Sequence, residues 1–275
     1  KPFLGVECKL QCPIPTSGSA TITGDCNLYN QIVVTGELDV TGVPDANGVL
    51  PKLLGAGYNR LFKVEIGGSL TLKSLNLTGG VANGVGIDGR GGAVQSFGEI
   101  LVRGCIFAGN KGYDGGAISS DHVTGAPTNR KHTILNSTFE RNIAAGNSIG
   151  ANSGWGGGIH ANSGTKLLVE DSTLTNNLAG LGGGLFCVSD CILNRTLIAN
   201  NTAKWQAGGV LQQYGQLTVE NGIIQDNYAH NSGGGMFLWD VHTLTAYNGV
   251  YLLNTQISNN KAGSLGGGIY VLGGY

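Results

Sequence analysis

The sequence is short of charge. Charged residues make up 12% of its 275 residues, about half the usual share in soluble domains. Lys and Arg together number 16 and Asp and Glu 17, which gives a formal net charge of −1. A nearly neutral chain has no electrostatic basis for binding nucleic acid or an anionic membrane surface. We therefore expect neither of them as a partner.

Two hydrophobic patterns are also missing. No apolar run approaches the roughly 18 residues that indicate a membrane-spanning helix, so no membrane insertion is expected. No segment has the i, i+3, i+4, i+7 spacing of an amphipathic helix. Short runs of period two occur instead, at residues 69–72, 99–102, 166–169 and 216–219. Gly, Asn, Asp and Ser bound these runs, which predicts short β-strands joined by corners.

Glycine is abundant where charge is scarce, at 49 of 275 residues. Many of these glycines lie in pairs or triplets that precede an apolar residue. The pairs and triplets begin at Gly91, Gly115, Gly156, Gly182, Gly208, Gly233 and Gly266. A second phrase alternates with the first and places an apolar residue three positions before an asparagine. Its asparagines are Asn110, Asn142, Asn177, Asn201, Asn227 and Asn260.

The spacing of these asparagines sets the length of the repeat. Consecutive ones are 24 residues apart at the shortest and 35 at the longest, so the base period is 24 to 26 with insertions elsewhere. Fixed periods in this range are typical of solenoids and propellers. About 25 residues hold three short strands and three corners, which predicts a right-handed parallel β-helix, an all-β fold.

The predicted domain plan has two parts. Residues 1–30 hold three of the six cysteines and are expected to form an N-terminal cap, because the end of a solenoid exposes strand edges and core. Residues 31–275 are expected to form the β-helix, continuing or covered beyond residue 275. We expect the six phrase asparagines to stack as a structural ladder of side-chain amides. Glycine at the paired positions allows a positive φ at a tight corner.

The two phrases resemble the repeats of the polymorphic outer membrane protein family, first recognised in chlamydial surface proteins. The matching segments are Gly91–Val94, Gly115–Ile118, Phe107–Asn110 and Phe139–Asn142. Similar repeats occur in cell-surface proteins of microalgae and other protists. The resemblance covers roughly residues 60–275. It implies a secreted or surface-exposed module with an adhesive or structural role.

Three insertions lengthen individual coils, at about residues 121–131, 145–155 and 239–250. The first and third follow the strand after the glycine pair. They are therefore expected to leave the same corner of the solenoid, about four coils apart. Loops carry function more often than scaffolds do, so this side is the expected binding face.

Cysteines and sequons indicate an oxidising, secretory environment. The disulfide candidates are Cys8, Cys12, Cys26, Cys187 and Cys191, whereas Cys105 lies in an apolar run and is expected to be a buried thiol. Cys187 and Cys191 flank a predicted corner, across which a bond is possible. Asn-X-Ser/Thr sequons give four glycosylation candidates, Asn76, Asn136, Asn194 and Asn200.

The acidic and aromatic residues bear on catalysis and on ligand binding. A glycosidase needs two carboxylates about 5 to 9.5 Å apart, and the acidic residues are scattered; their best adjacent pair, Glu170 and Asp171, points to opposite faces of a strand. No catalytic residue, metal ligand or cofactor is therefore predicted. Aromatic side chains could stack on sugars in a carbohydrate-binding module. The candidates are Trp155, Trp205, Trp239, Tyr247 and Tyr251.

The sequence therefore predicts a non-enzymatic extracellular or cell-surface module of structural or adhesive type, as a repeating subunit of an appendage or filament. Its expected partners are other subunits or domains at the C-terminal end, where the chain stops inside a repeat phrase at residues 266–275. Surface glycans are a further expected partner class. The alternatives are a carbohydrate-binding module and a β-helical polysaccharide lyase or glycosidase.

Overall fold

The chain coils into a solenoid of parallel strands in the computed structural model, which describes residues 11–122, 124–125, 127–146, 153–239 and 249–273. Within these residues the elements are short β-strands and one 3-10 helix, Gly86–Gly89. Strands of one coil pair in parallel with their equivalents in the coils before and after. The predicted all-β parallel solenoid is confirmed.

Sheet 1 has nine strands, one from each coil. Apolar and polar residues alternate along them, so that Leu70 and Leu72 are buried while Thr71 between them faces outward. The strands are β1 (Gly18–Ile22), β4 (Glu37–Gly42), β7 (Ser69–Lys73), β10 (Glu99–Arg103), β14 (Arg130–Leu135), β18 (Thr165–Glu170), β22 (Asp190–Asn194), β26 (Leu217–Glu220) and β30 (Val250–Leu253).

Sheet 2 follows sheet 1 in each coil and also has nine strands. The middle residue of most strands points into the core, where the rings of Phe107 and Phe139 stack with centroids 4.7 Å apart. The strands are β2 (Cys26–Leu28), β5 (Lys52–Gly55), β8 (Asn76–Thr78), β11 (Ile106–Ala108), β15 (Thr138–Glu140), β19 (Thr173–Thr175), β23 (Leu197–Ala199), β27 (Ile223–Gln225) and β31 (Gln256–Ser258).

Sheet 3 is the smallest of the four sheets. The sequence did not predict it, because the repeat indicates only three strands per coil. It occupies the stretch between the phrase asparagine and the glycine turn, and most of its strands are too short to show a period of two. Its six strands are β12 (Lys111–Gly112), β16 (Ile143–Ala144), β20 (Leu178–Leu181), β24 (Thr202–Gln206), β28 (Tyr228–Ala229) and β32 (Lys261–Ala262).

Sheet 4 completes the coil with nine strands and is buried on both faces over its central part. Its outer face carries a small second hydrophobic cluster that includes Phe186, Leu211 and Phe237. The strands are β3 (Ile32–Val34), β6 (Phe62–Val64), β9 (Val94–Ser96), β13 (Ile118–Ser120), β17 (Ile159–Ala161), β21 (Leu185–Cys187), β25 (Val210–Gln213), β29 (Met236–Trp239) and β33 (Ile269–Leu272).

The turn into sheet 4 explains the glycine phrase. The same turn position has a φ between 58° and 70° in seven successive coils, at Gly91, Gly115, Gly156, Gly182, Ala207, Gly233 and Gly266. A Cβ added at Gly233 would lie only 2.5 Å from the carbonyl oxygen of Met236. Glycine therefore avoids both the strain of a left-handed conformation and a steric clash between a Cβ and the nearby backbone. Ala207 is the exception in this row.

The first coil starts earlier than the predicted boundary at residue 31. Strand β1 pairs in parallel with β4, and β2 pairs with β5, so residues 18–28 belong to the sheets and not to a separate cap. The small and polar residues of β1 lack the apolar alternation that marks later strands. Residues 1–10 lie outside the described part of the chain.

Candidate functional site

The six phrase asparagines lie in one row at the corner between sheet 2 and sheet 3. Each of the first five donates from Nδ2 to the Oδ1 of the asparagine in the next coil at 3.0 Å. The same Oδ1 also accepts the backbone N–H of the preceding asparagine. Five of the six side chains are buried, and Asn260 is half-buried. The row ties successive coils together along the solenoid axis.

Two disulfide bonds join candidate cysteines. Cys187 and Cys191 are linked across the corner between β21 and β22, with Cα atoms 6.7 Å apart. Cys12 is linked to Cys26, which attaches the segment before β1 to the first strand of sheet 2. Cys8 lies outside the described residues. Cys105 is a free buried thiol, and burial raises its pKa to about 11.

A buried charged cluster lies on the outer face of sheet 4, and the sequence did not predict it. Arg90 forms ion pairs with Asp114 at 2.9 Å and with Asp121 at 3.1 Å. The second carboxylate also accepts hydrogen bonds from Gln95 Nε2 and Ser119 Oγ. Burial raises the pKa of Asp114 to about 6, although Arg90 opposes the shift. Both carboxylates are engaged and enclosed, so they cannot act on a substrate in solvent.

His160 extends this cluster into the next coil. Its Nδ1 lies 3.2 Å from Ser119 Oγ, and its ring is packed edge-on to Trp155 and Phe186. Burial, with a smaller effect of Arg90, lowers the pKa of His160 to about 3, so the ring is neutral. His160 is the middle residue of β17.

A groove lies on the outer face of sheet 1 and encloses about 380 Å³. Leu168 and Ile192 form its apolar floor, and Ile192 is 47% exposed. Lys131 and Lys166 line one side, on directly paired positions of neighbouring strands. Within the described residues neither lysine forms an ion pair. The groove therefore combines an apolar surface with two adjacent positive charges and one carboxylate, that of Asp190, at the position paired with Lys166.

The three predicted insertions do not all leave the same corner of the solenoid. The first lies between β13 and β14, and the third lies between β29 and β30, so both occupy the corner from sheet 4 to sheet 1. The second lies between sheets 3 and 4. Residues 123, 126, 147–152 and 240–248 of these insertions are outside the described part of the chain.

The four aromatic candidates within the described residues do not form one sugar-stacking surface. Trp155 stacks on Phe186, and Trp239 packs against Phe237. Trp205 and Tyr251 are exposed but lie on sheets 3 and 1. Tyr247 lies outside the described residues. The physical reason is that outward positions of different sheets point away from one another, whatever their order in the sequence.

In the coil at residues 250–272, two residues at inward positions are exposed. Leu252 pairs with the buried Val219, yet it is itself 37% exposed. Val271 pairs with Leu238 and is 55% exposed.

The described residues lack two kinds of site. None of their helices is long and apolar enough to span a membrane. They also contain no group of three or more His, Cys, Asp or Glu side chains that could hold a metal ion.

Comparison with known proteins places the chain in a family. The model of the right handed beta helix region matches residues 64–250, more than half of the chain. The model of the Chlamydia polymorphic membrane protein repeat matches residues 254–272. No curated protein and no solved structure matches the chain. The chain therefore belongs to the right-handed parallel β-helix family and carries a repeat of the polymorphic membrane protein type.

Proposed function

We propose that the chain is a non-enzymatic structural or adhesive module at the cell surface, which acts as a repeating subunit of an extracellular assembly. The observation that carries the proposal is that the asparagine ladder continues without a break into the polymorphic membrane protein repeat. There Asn227 Nδ2 donates to Asn260 Oδ1 at 3.0 Å. Such a ladder gives axial rigidity, which suits a surface rod.

The extracellular part of the proposal is supported by the two disulfide bonds, because disulfides persist in oxidising compartments. The non-enzymatic part is supported by the state of the acidic groups. Asp114 and Asp121 are enclosed and paired with Arg90. Glu170 and Asp171 do not point to opposite faces as the sequence predicted, because β18 ends at Glu170; both carboxylates bind Arg195 at the surface. Incubation with acidic polysaccharides should release no cleavage products, and cleavage would contradict this part.

The assembly part of the proposal concerns the coil at residues 250–272. Another subunit or domain that stacks there would bury Leu252 and Val271, and head-to-tail stacking without rotational closure yields a filament. Sedimentation of the wild-type chain should therefore show mass that rises with concentration. Leu252→Lys with Val271→Lys should abolish the rise. Val49→Lys, at an exposed loop residue, is the matched control.

Two results would decide against this assembly. A wild-type chain that stays monomeric at every concentration would remove the subunit role. Association that survives the double substitution, with circular dichroism confirming the fold, would place the contact elsewhere.

A second candidate function is binding of an anionic glycan, and the groove on sheet 1 favours it. Lys131 and Lys166 could share one carboxylate, since paired strands lie about 4.8 Å apart. Leu168 and Ile192 would contact the apolar side of a sugar ring. Calorimetry with an oligogalacturonate should show binding that Lys166→Gln weakens and that Lys204→Gln, on sheet 3, leaves unchanged. Equal binding by the neutral methyl ester would refute the charge contact.

A further inference from the structure

Four sequons give the same signal in the sequence, and the structure separates them into two classes. Asn76 lies in β8 and Asn194 at the end of β22, both within flat sheet faces. Asn136 and Asn200 lie at corners between strands. The first two side chains are half-buried and the second two are exposed. Only an exposed asparagine can carry a bulky glycan in the folded chain.

The half-buried pair has little room for a modification. The Oδ1 atoms of Asn76 and Asn194 are both enclosed and lack a hydrogen-bond partner. Each strand residue also has a neighbour on both sides. Asn76 pairs with Lys52 and Ile106, and Asn194 pairs with Glu170 and Glu220. A sugar on either amide would have to displace these neighbours.

The threonines of the same two sequons are also engaged. Thr78 Oγ1 donates to the carbonyl of Ala108 at 2.7 Å. Thr196 is 2% exposed, and its Oγ1 donates to the carbonyl of Val169 at 3.0 Å. In the folded chain both sequons are therefore part of the bonding between coils and are not free surface.

The exposed pair is built differently. Asn136 and Asn200 have φ of 48° and 56°, a left-handed conformation that forms the sharp corner at each end of a sheet 2 strand. Their side chains make no hydrogen bond within the described part of the chain. Asn136 also has Gly104 at the same corner one coil earlier, where no side chain blocks the space. Both amides are open to solvent without rearrangement of the fold.

We propose that Asn136 and Asn200 are N-glycosylation sites of the folded protein and that Asn76 and Asn194 are not. The proposal rests on the extracellular location proposed above. In the reaction, Nδ2 attacks C1 of a sugar activated as an isoprenoid diphosphate ester. The N–C1 bond forms, the C1–O bond to the diphosphate breaks, and one proton leaves Nδ2.

The two sites have a consequence for contacts with partners. Asn136 precedes β15 and Asn200 follows β23, so the two glycans flank the same face, that of sheet 2. Asn136 follows the end of β14 in sheet 1, whereas the groove on sheet 1 lies beside Lys131, near the start of that strand. Glycans at these corners would shield sheet 2 laterally and leave the groove open.

The test is to express the full chain with a secretion signal in a eukaryotic cell and to map glycans by mass spectrometry of the secreted protein. The expected result is modification of Asn136 and Asn200 only. Asn136→Gln and Asn200→Gln should each remove one glycan from the intact mass. The matched controls, Asn76→Gln and Asn194→Gln, should leave the glycan count unchanged.

Glycan on Asn76 or Asn194 in folded, secreted protein would overturn the proposal, as would bare Asn136 and Asn200. If a substituted asparagine impairs secretion, Thr138→Ala or Thr202→Ala removes the same sequon and keeps the asparagine. The recombinant chain tests the choice of sites independently of native location. Protein from the native source without glycan, beside a modified recombinant chain, would instead contradict the extracellular location.

Discussion

Replacement of Asn177 by leucine tests how much the asparagine ladder stabilises the solenoid. Asn177 Nδ2 donates to the carbonyl of Phe139 and to Asn201 Oδ1, both at 3.0 Å. Its Oδ1 accepts the backbone N–H and the Nδ2 of Asn142, also at 3.0 Å. The side chain is 1% exposed, so water cannot replace these bonds.

The magnitude follows from the groups left without partners. Asn177→Leu orphans one backbone group, the Asn142 N–H, while the Phe139 carbonyl keeps its place in the ladder between β15 and β19 and Asn201 Oδ1 keeps one donor. At about 1 to 3 kcal/mol for a buried orphan, the free energy of unfolding should fall by about 1 to 3 kcal/mol. Leucine adds apolar contact in return, which brings the expectation toward the lower half of that range.

The assay is urea unfolding together with hydrogen exchange of the Asn142 amide, which should lose protection in the variant. Asn176→Gly is the matched control, because Asn176 is exposed and its φ of 56° suits glycine. We expect the control to change the free energy of unfolding by less than about 0.5 kcal/mol. If Asn177→Leu and the control unfold at the same urea concentration, the ladder does not stabilise the fold.

Three further predictions concern other positions. Ala207→Gly should raise the melting temperature, because Ala207 holds a φ of 58° where neighbouring coils have glycine, whereas Gly233→Ala should lower it. The folded pKa of Asp114 is raised to about 6 from 3.8, so its contribution to stability is present below pH 4 and is lost as pH rises to 6. Melts at a series of pH values should therefore show that the unfolding free energy of wild type, minus that of Asp114→Asn, falls as the pH rises from 4 to 6. A difference that stays constant over this pH range would exclude the raised pKa of Asp114. Iodoacetamide should leave Cys105 unlabelled in native protein and label it after unfolding, as peptide mass spectrometry would report.

The sequence predicts the solenoid well because each coil repeats the same local demands. Asparagine at a buried corner and glycine at a left-handed turn are required by the backbone, so they recur at readable intervals. Sheet 3 escapes prediction because strands such as Lys111–Gly112 are shorter than any periodic pattern. Their pairing is imposed by the stacked coils on either side.

The buried charged cluster could not be read from the repeat, since its members come from different coils. Arg90, Asp121 and His160 are far apart in sequence and meet only when coils stack in register. A weak signal was present. The middle residues of β9, β13 and β17 are Gln95, Ser119 and His160, where the next coil has Phe186. A polar stretch within an otherwise apolar row indicates a local network that satisfies it.

The outer face of sheet 1 is where partner specificity can vary without loss of the fold. The core rows, the asparagine ladder and the turn into sheet 4 are constrained by burial, hydrogen bonding or a positive φ. The middle outward row of sheet 1 changes from coil to coil, and its residues are Leu101, Thr133, Leu168, Ile192, Thr218 and Tyr251. In this row the side chain differs between each pair of neighbouring coils. If the groove binds an anionic glycan as proposed, Ile192→Thr should weaken oligogalacturonate binding while leaving urea unfolding nearly unchanged, and the opposite result would make this row part of the scaffold.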